Sequence, residues 1–167
     1  MKLSPLQVKH YHFTELSVAA RSAIDIDKLD YGTEPYPPTD EANLQTVVEL
    51  GEPDGEPDPH QFVVTLSISS HPDKASNFPY IFTARLEGVF TFDHSGELEE
   101  RKRLVVCNGA SILYSAAREQ LLAITARLKF GPMLLPTASF NGMAPASKQV
   151  EKKATKSRRA SGKPSIK

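Results

Sequence analysis

His10 and His12, in the run HYH, stand two residues apart. On a strand that spacing turns both imidazoles to one side, where they could share a divalent metal. No third ligand is identifiable nearby, so the pair is read as an ordinary strand face. The run ELEERKR, residues 97–103, brings three carboxylates together, but acids interleaved with bases in a turn form a solvated surface rather than a catalytic dyad. Cys107 is expected just before a helix N-terminus, a place that can lower a thiol pKa, and a structural thiol is the plainer reading. As the single cysteine it allows neither an internal disulfide nor a cysteine-based zinc cluster. GxGxxG, the P-loop lysine motif, GxSxG and HExxH are all absent. We therefore assign no catalytic residue, no metal ligand and no cofactor, and the chain is not read as an enzyme.

The charge distribution is more informative than its sum of zero. Residues 145–167 carry 8 Lys or Arg and 1 acid, leaving 12 bases and 19 acids in residues 1–144. A basic tail of about +7 thus follows a body of about −7. With no aromatic residue, and only Val150 and Ile166 as large aliphatics, the tail is expected to be disordered. Its KKATKSRR run offers phosphate contacts without aromatics for base stacking, so a nucleic-acid- or ribosome-associated protein acting through the tail is the alternative function. A small-ligand-binding domain is a further one. No run approaches the roughly 18 apolar residues of a membrane span. MKLSPLQVKH also lacks the apolar centre of a secretory signal, and a soluble, cytoplasmic protein without membrane insertion is expected.

Four strands are predicted to carry these groups. QVKHYHFTELSVAA changes phase: Tyr11 and Phe13 are odd, Leu16 and Val18 even, so either a bulge near Thr14 reconciles them or both faces are covered. LQTVVELG puts Leu44, Thr46, Val48 and Leu50 on one face, and EPDGEPDPH ends it. HQFVVTLSIS alternates, with Phe62, Val64, Leu66 and Ile68 inward; YIFTARLEGVFTFD does the same from Tyr80 to Phe92, Gly88 marking a bulge or bend. SHPDKASNFP joins these two as a long-looped hairpin, and DYGTEPYPPT is a loop between the first two strands. From Asn108 as N-cap, Leu113, Ala117, Leu121, Ile124 and Leu128 form a helical stripe, stopped by Gly131-Pro132. The order is α+β, a four-stranded antiparallel sheet followed by one long helix, in a domain of residues 1–143 with the tail at 144–167.

This order, with ILYSAARE at 112–119 and FGPMLLPTASF at 130–140, resembles the SecB-like family of protein-export chaperones, including its toxin–antitoxin-associated relatives. FVVTLSISS, EGVFTFD and TVVEL look like that family's third, fourth and second strands. Gly109, Ala110 and Ser111 stand where the family has Cys-Pro-Asn, with Cys107 two positions early. The resemblance implies an ATP-independent holdase for unfolded polypeptides, either presecretory proteins or a labile antitoxin. It implies a dimer of dimers, with edge strands paired within a dimer and the stripe Leu113, Ala117, Leu121, Ile124 and Leu128 packed between dimers. It implies a client groove lined by Val48, Leu50, Tyr80, Phe82, Phe130, Met133 and Leu134. Of the acidic positions that dock the export motor SecA, Glu15 matches, whereas Ala19 and Thr83 occupy two others.

Overall fold

The computed structural model describes residues 3–29, 35–93, 96–143 and 146–147. Strands β1 (Leu6–Ala20), β2 (Leu44–Gly51), β3 (Gln61–Ser70) and β4 (Tyr80–Phe92) precede helix α1 (Leu98–Thr125). A two-residue strand, β5 (Ala146–Ser147), closes the order. The sheet runs β1-β4-β3-β2-β5. The first four strands are antiparallel, and β5 lies parallel to β2 with Ala146 opposite Glu49 and Ser147 opposite Leu50. Part of the loop 30–39 and most of the basic tail lie outside the described residues. Among those described, no helix is long and apolar enough to cross a membrane.

Alternation decides the faces. Phe62, Val64, Leu66 and Ile68 on β3 and Tyr80, Phe82, Ala84, Leu86, Phe90 and Phe92 on β4 are buried beneath α1. The phase change in β1 is resolved by two register shifts, between Val8 and His10 and between Phe13 and Glu15. Each inserts one residue and flips the alternation, so Leu6, Val8, Tyr11, Phe13, Leu16 and Val18 all come to the helix side. Gly88 is no bulge. It pairs regularly with Tyr11 and Val64, and a Cβ there would meet Phe90 Cε2 at 2.8 Å and Leu113 Cδ2 at 3.0 Å. The glycine makes room for the helix to sit down on the sheet. Gly109 does the same from the helix, its missing Cβ lying 3.0 Å from Val64 Cγ2.

The helix starts ten residues before the expected cap. Its first turn carries Glu99 and Glu100, favourable at the positive end of the helix dipole. Asn108 is internal, its side chain donating to the Leu104 carbonyl at 2.9 Å. ELEERKR is therefore no free turn. Arg101 occupies a core-facing position at 3% exposure and donates to Asp58 Oδ1 (2.7 Å), the Pro59 carbonyl (2.8 Å) and the Gly96 carbonyl (3.1 Å). It ties the β2–β3 turn to the helix, and its hydrogen bond holds the Asp58 carboxyl below the usual range. Lys102 bridges Glu52 (3.0 Å) and Glu99 (3.2 Å), which raises its own pKa.

At the other end the regular helix stops at Thr125, short of the predicted Gly131. Thr125 Oγ1 donates back to the Leu121 carbonyl and accepts from the Met133 amide at 2.8 Å, pulling the chain over. Gly131 does adopt the left-handed conformation (φ 77°), six residues later, where its amide donates to the Leu128 carbonyl.

Candidate functional site

The expected groove and interface residues have to be located on this frame. Residues 130–141 run back beside α1 from its C-terminal end. Tyr80 donates its hydroxyl to the Gly131 carbonyl, Arg118 Nε donates to the Leu135 carbonyl (2.8 Å) and the Tyr114 hydroxyl to the Pro136 carbonyl (2.8 Å). Burial raises the Tyr114 pKa. Tyr114 also meets Phe140 edge-on at 5.6 Å, and Cys107 Sγ donates to Asn141 Oδ1 at 2.9 Å. Cys107 is thus the tenth residue of the helix, away from the N-terminal dipole, and serves to hold this returning segment.

That segment closes the groove as first drawn. Val48, Leu50, Tyr80, Phe82 and Met133 are buried in the core, and Phe130 is 8% exposed, edge-on to Tyr80 at 6.1 Å with Lys129 Nζ 5.0 Å from its ring centre. Only Leu134 of the seven is half-exposed. Tyr80 and Phe130 meet where β4 begins, whereas Val48 and Leu50 pair with Leu66 and Val64 toward the far end of β2, so the seven are not one groove and serve chiefly as packing. Leu44, expected on the apolar face of the second strand, and Leu128, expected in the interface stripe, are half-buried at the border of the same core; strand and helix periodicity report the buried face and not its border.

The interface stripe is corrected more sharply. Leu113, Ala117 and Leu121 are fully buried against this chain's own sheet, so they cannot lie between subunits; Ile124 and Leu128 are half-buried. The side of α1 turned away from the sheet carries Asn108, Ser111, Ser115 and Glu119, with Leu104 and Leu122 the larger apolar residues. The periodicity marked the core contact of one subunit.

Uncovered apolar surface lies elsewhere, on β1. This edge strand reaches past the helix, and its helix-side residues are incompletely covered: Tyr11 is 47% exposed, Val8 37%, and Phe13, Leu16 and Val18 are half-buried. Tyr11 pairs with Gly88, which has no side chain to meet it. The α1 flank opposite the returning segment adds Ile112, also 37% exposed. An unpaired strand edge and an apolar row therefore run together for the length of β1.

The face of the sheet away from the helix is open. It carries Glu15, Ala19 and Thr83, the three positions compared above with the family's acidic residues, with Glu15 opposite Arg85 and Arg85 Nη2 3.3 Å from Glu49 Oε2. His10 and His12 share this face, their rings 6.3 Å apart and nearly parallel. Among the described residues no group of three or more His, Cys, Asp or Glu is placed to hold a metal ion.

No family model and no curated protein matches the sequence. Solved structures do match in shape. A SecB-like chaperone from Mycobacterium tuberculosis, solved in complex with a peptide from the HigA1 antitoxin, superposes with a TM-score of 0.50 at 19% identity, over 80% of this chain and 91% of that one. A Streptococcus agalactiae protein of unknown function follows at 0.44 and 10% identity, over 79% of this chain and 97% of that one. At such identities the likeness is one of fold: a four-stranded antiparallel sheet backed by one long helix, as in SecB-like chaperones.

Proposed function

We propose that this chain, built on the SecB-like fold, is an ATP-independent chaperone that holds extended, apolar stretches of unfolded polypeptides. The observation that carries the reading is apolar surface one subunit cannot cover by itself, namely Val8, Tyr11, Phe13, Leu16 and Val18 on the helix side of an edge strand. Pairing β1 with β1 of a second copy would satisfy the edge and bury the row, and gives the dimer from which a larger assembly can be built. The opposite edge, β2, is then left for clients. It already accepts an extended segment in the form of Ala146–Ser147, which is the main-chain recognition mode an unfolded client would use. Leu44, on β2 itself, and Leu128 and Leu134, in the stretch after α1, are half-buried and would offer a client sequence-tolerant contacts. The antitoxin peptide bound by the mycobacterial neighbour supports a client of this kind, and a presecretory chain is the other candidate.

The test is aggregation of a chemically unfolded protein, followed by light scattering without nucleotide. The full chain at stoichiometric ratio is expected to suppress it. Leu44→Ser with Leu134→Ser should weaken holding severalfold while leaving the melting temperature within a few degrees, since both side chains are only half-buried. Phe130→Ser is the contrasting variant, expected to cost about 3 kcal/mol because its ring belongs to the core. No suppression by the parent chain would overturn the function, and undiminished holding by a folded double variant would overturn the placement of the client edge.

A further inference from the structure

Strand β5 is short, but its direction has consequences. Being parallel to β2, with Ala146 opposite Glu49 and Ser147 opposite Leu50, it points the following residues along β2 toward Gly51 and the β2–β3 turn. Beyond Gly51 the turn presents Glu52, Asp54, Glu56 and Asp58, all exposed. Two of these are engaged already, Glu52 by Lys102 and Asp58 by Arg101. Next to the turn lies an open depression of about 370 Å³ lined by Glu56, His60, Gln61, Thr91, Phe92 and Asp93, two of them carboxylates. The sequence that follows Ser147 contains Lys148, Lys152, Lys153, Lys156, Arg158 and Arg159 against the single acid Glu151.

We infer that the chain's own C-terminal segment, from Ala146 to about Arg159, occupies the β2 edge and the acidic turn beyond it, and competes there with an extended client. Register supplies direction and charge supplies complementarity. Reach is no obstacle: eleven residues beyond Lys148 span up to about 36 Å, whereas three strand spacings are about 14 Å. The contact is weak enough to be released, because only two residues pair in register and the remainder is a surface charge contact that salt screens. The edge that would accept a client therefore carries a built-in occupant. The competition rests on the client reading of β2; the occupancy does not.

Two measurements on the full chain separate these. Single-amide hydrogen exchange over residues 44–51 reads occupancy directly. Ser147→Pro removes an N–H and cannot sustain strand pairing, so exchange along the outer edge of β2 should rise about tenfold while β3 amides stay protected. Raising salt to about 0.5 M should move the unmodified chain in the same direction. Binding of reduced, carboxymethylated α-lactalbumin reads competition. If the occupied form is about nine-tenths populated, release should tighten the apparent Kd about tenfold, and Ser147→Pro leaves every charge in place. Unchanged β2 exchange in both the variant and high salt would overturn the inference. So would an effect that grows with protein concentration, which would put the segment on another copy, or salt-sensitive retention of nucleic acid with β2 exchange unaltered. Faster exchange with unchanged client affinity would overturn the competition. If neither form binds client, the chaperone reading fails and the exchange result alone decides the occupancy.

Discussion

Replacing Tyr11 by Ser should dissociate the assembly without unfolding the subunit. A tyrosine presents about 200 Å² of surface, and Tyr11 is 47% exposed on the helix side of an edge strand, so about 100 Å² is left for a partner. At about 25 cal/mol per Å² this is about 2.5 kcal/mol, and a two-fold interface counts it once from each subunit, about 5 kcal/mol in all. Ordering and imperfect fit reduce what is realised. If half survives, the dimer dissociation constant rises about seventyfold. The half of Tyr11 packed within the subunit contributes about 2.5 kcal/mol by the same rule, which lowers the melting temperature of the isolated domain without abolishing its transition. Sedimentation velocity over a hundredfold range of concentration, with circular dichroism on the same samples, reads both effects. A folded Tyr11→Ser protein whose dissociation constant stays within threefold of the parent would refute the assignment of the β1 row to subunit pairing. So would a parent chain that is monomeric at high micromolar concentration.

Leu121→Asp should behave in the opposite way: Leu121 is fully buried within one subunit, so an aspartate there costs about 4 kcal/mol or more and removes the cooperative melting transition rather than the assembly alone, and a folded monomeric variant would contradict this. Arg101→Met should loosen the β2–β3 turn and flatten the acid side of the stability profile. Asp58 has its folded pKa lowered by the Arg101 hydrogen bond, so its contribution is complete above the ordinary carboxylate value, about 4, and disappears as pH falls through the lower folded value. Urea midpoints at pH 6, 4 and 3 should therefore fall less steeply in the variant than in the parent, and parallel profiles would refute the clamp.

Much of the frame was legible because alternation and turn chemistry are local. The limits of β2 and the two alternating strands came from period-two patterning ended by prolines, and the bulge near Thr14 from a phase change that any one-sided strand must resolve. The helix start was missed because Arg101, Lys102 and Arg103 read as solvated charge. The Asp58 carboxylate and the Pro59 carbonyl, about 42 residues away in the chain, together with the nearby Gly96 carbonyl, make a buried arginine acceptable there. The site suffered most: Tyr80, Phe82 and Met133 are apolar wherever they lie, and nothing local separates a groove wall from a core filled by residues 130–141.

The sequence by itself determined the α+β order, the strand faces and the charge contrast between body and tail, since each depends on neighbours a few residues apart. Tertiary structure alone decided which apolar surface remains uncovered. Leu113, Ala117 and Leu121 have the same periodicity whether they meet their own sheet or another subunit, and β1 is exposed only because α1 settles over β3 and β4, where Gly88 and Gly109 let the two layers approach. Burial depends on what packs from far along the chain, and so the surplus moved from the helix to the edge strand.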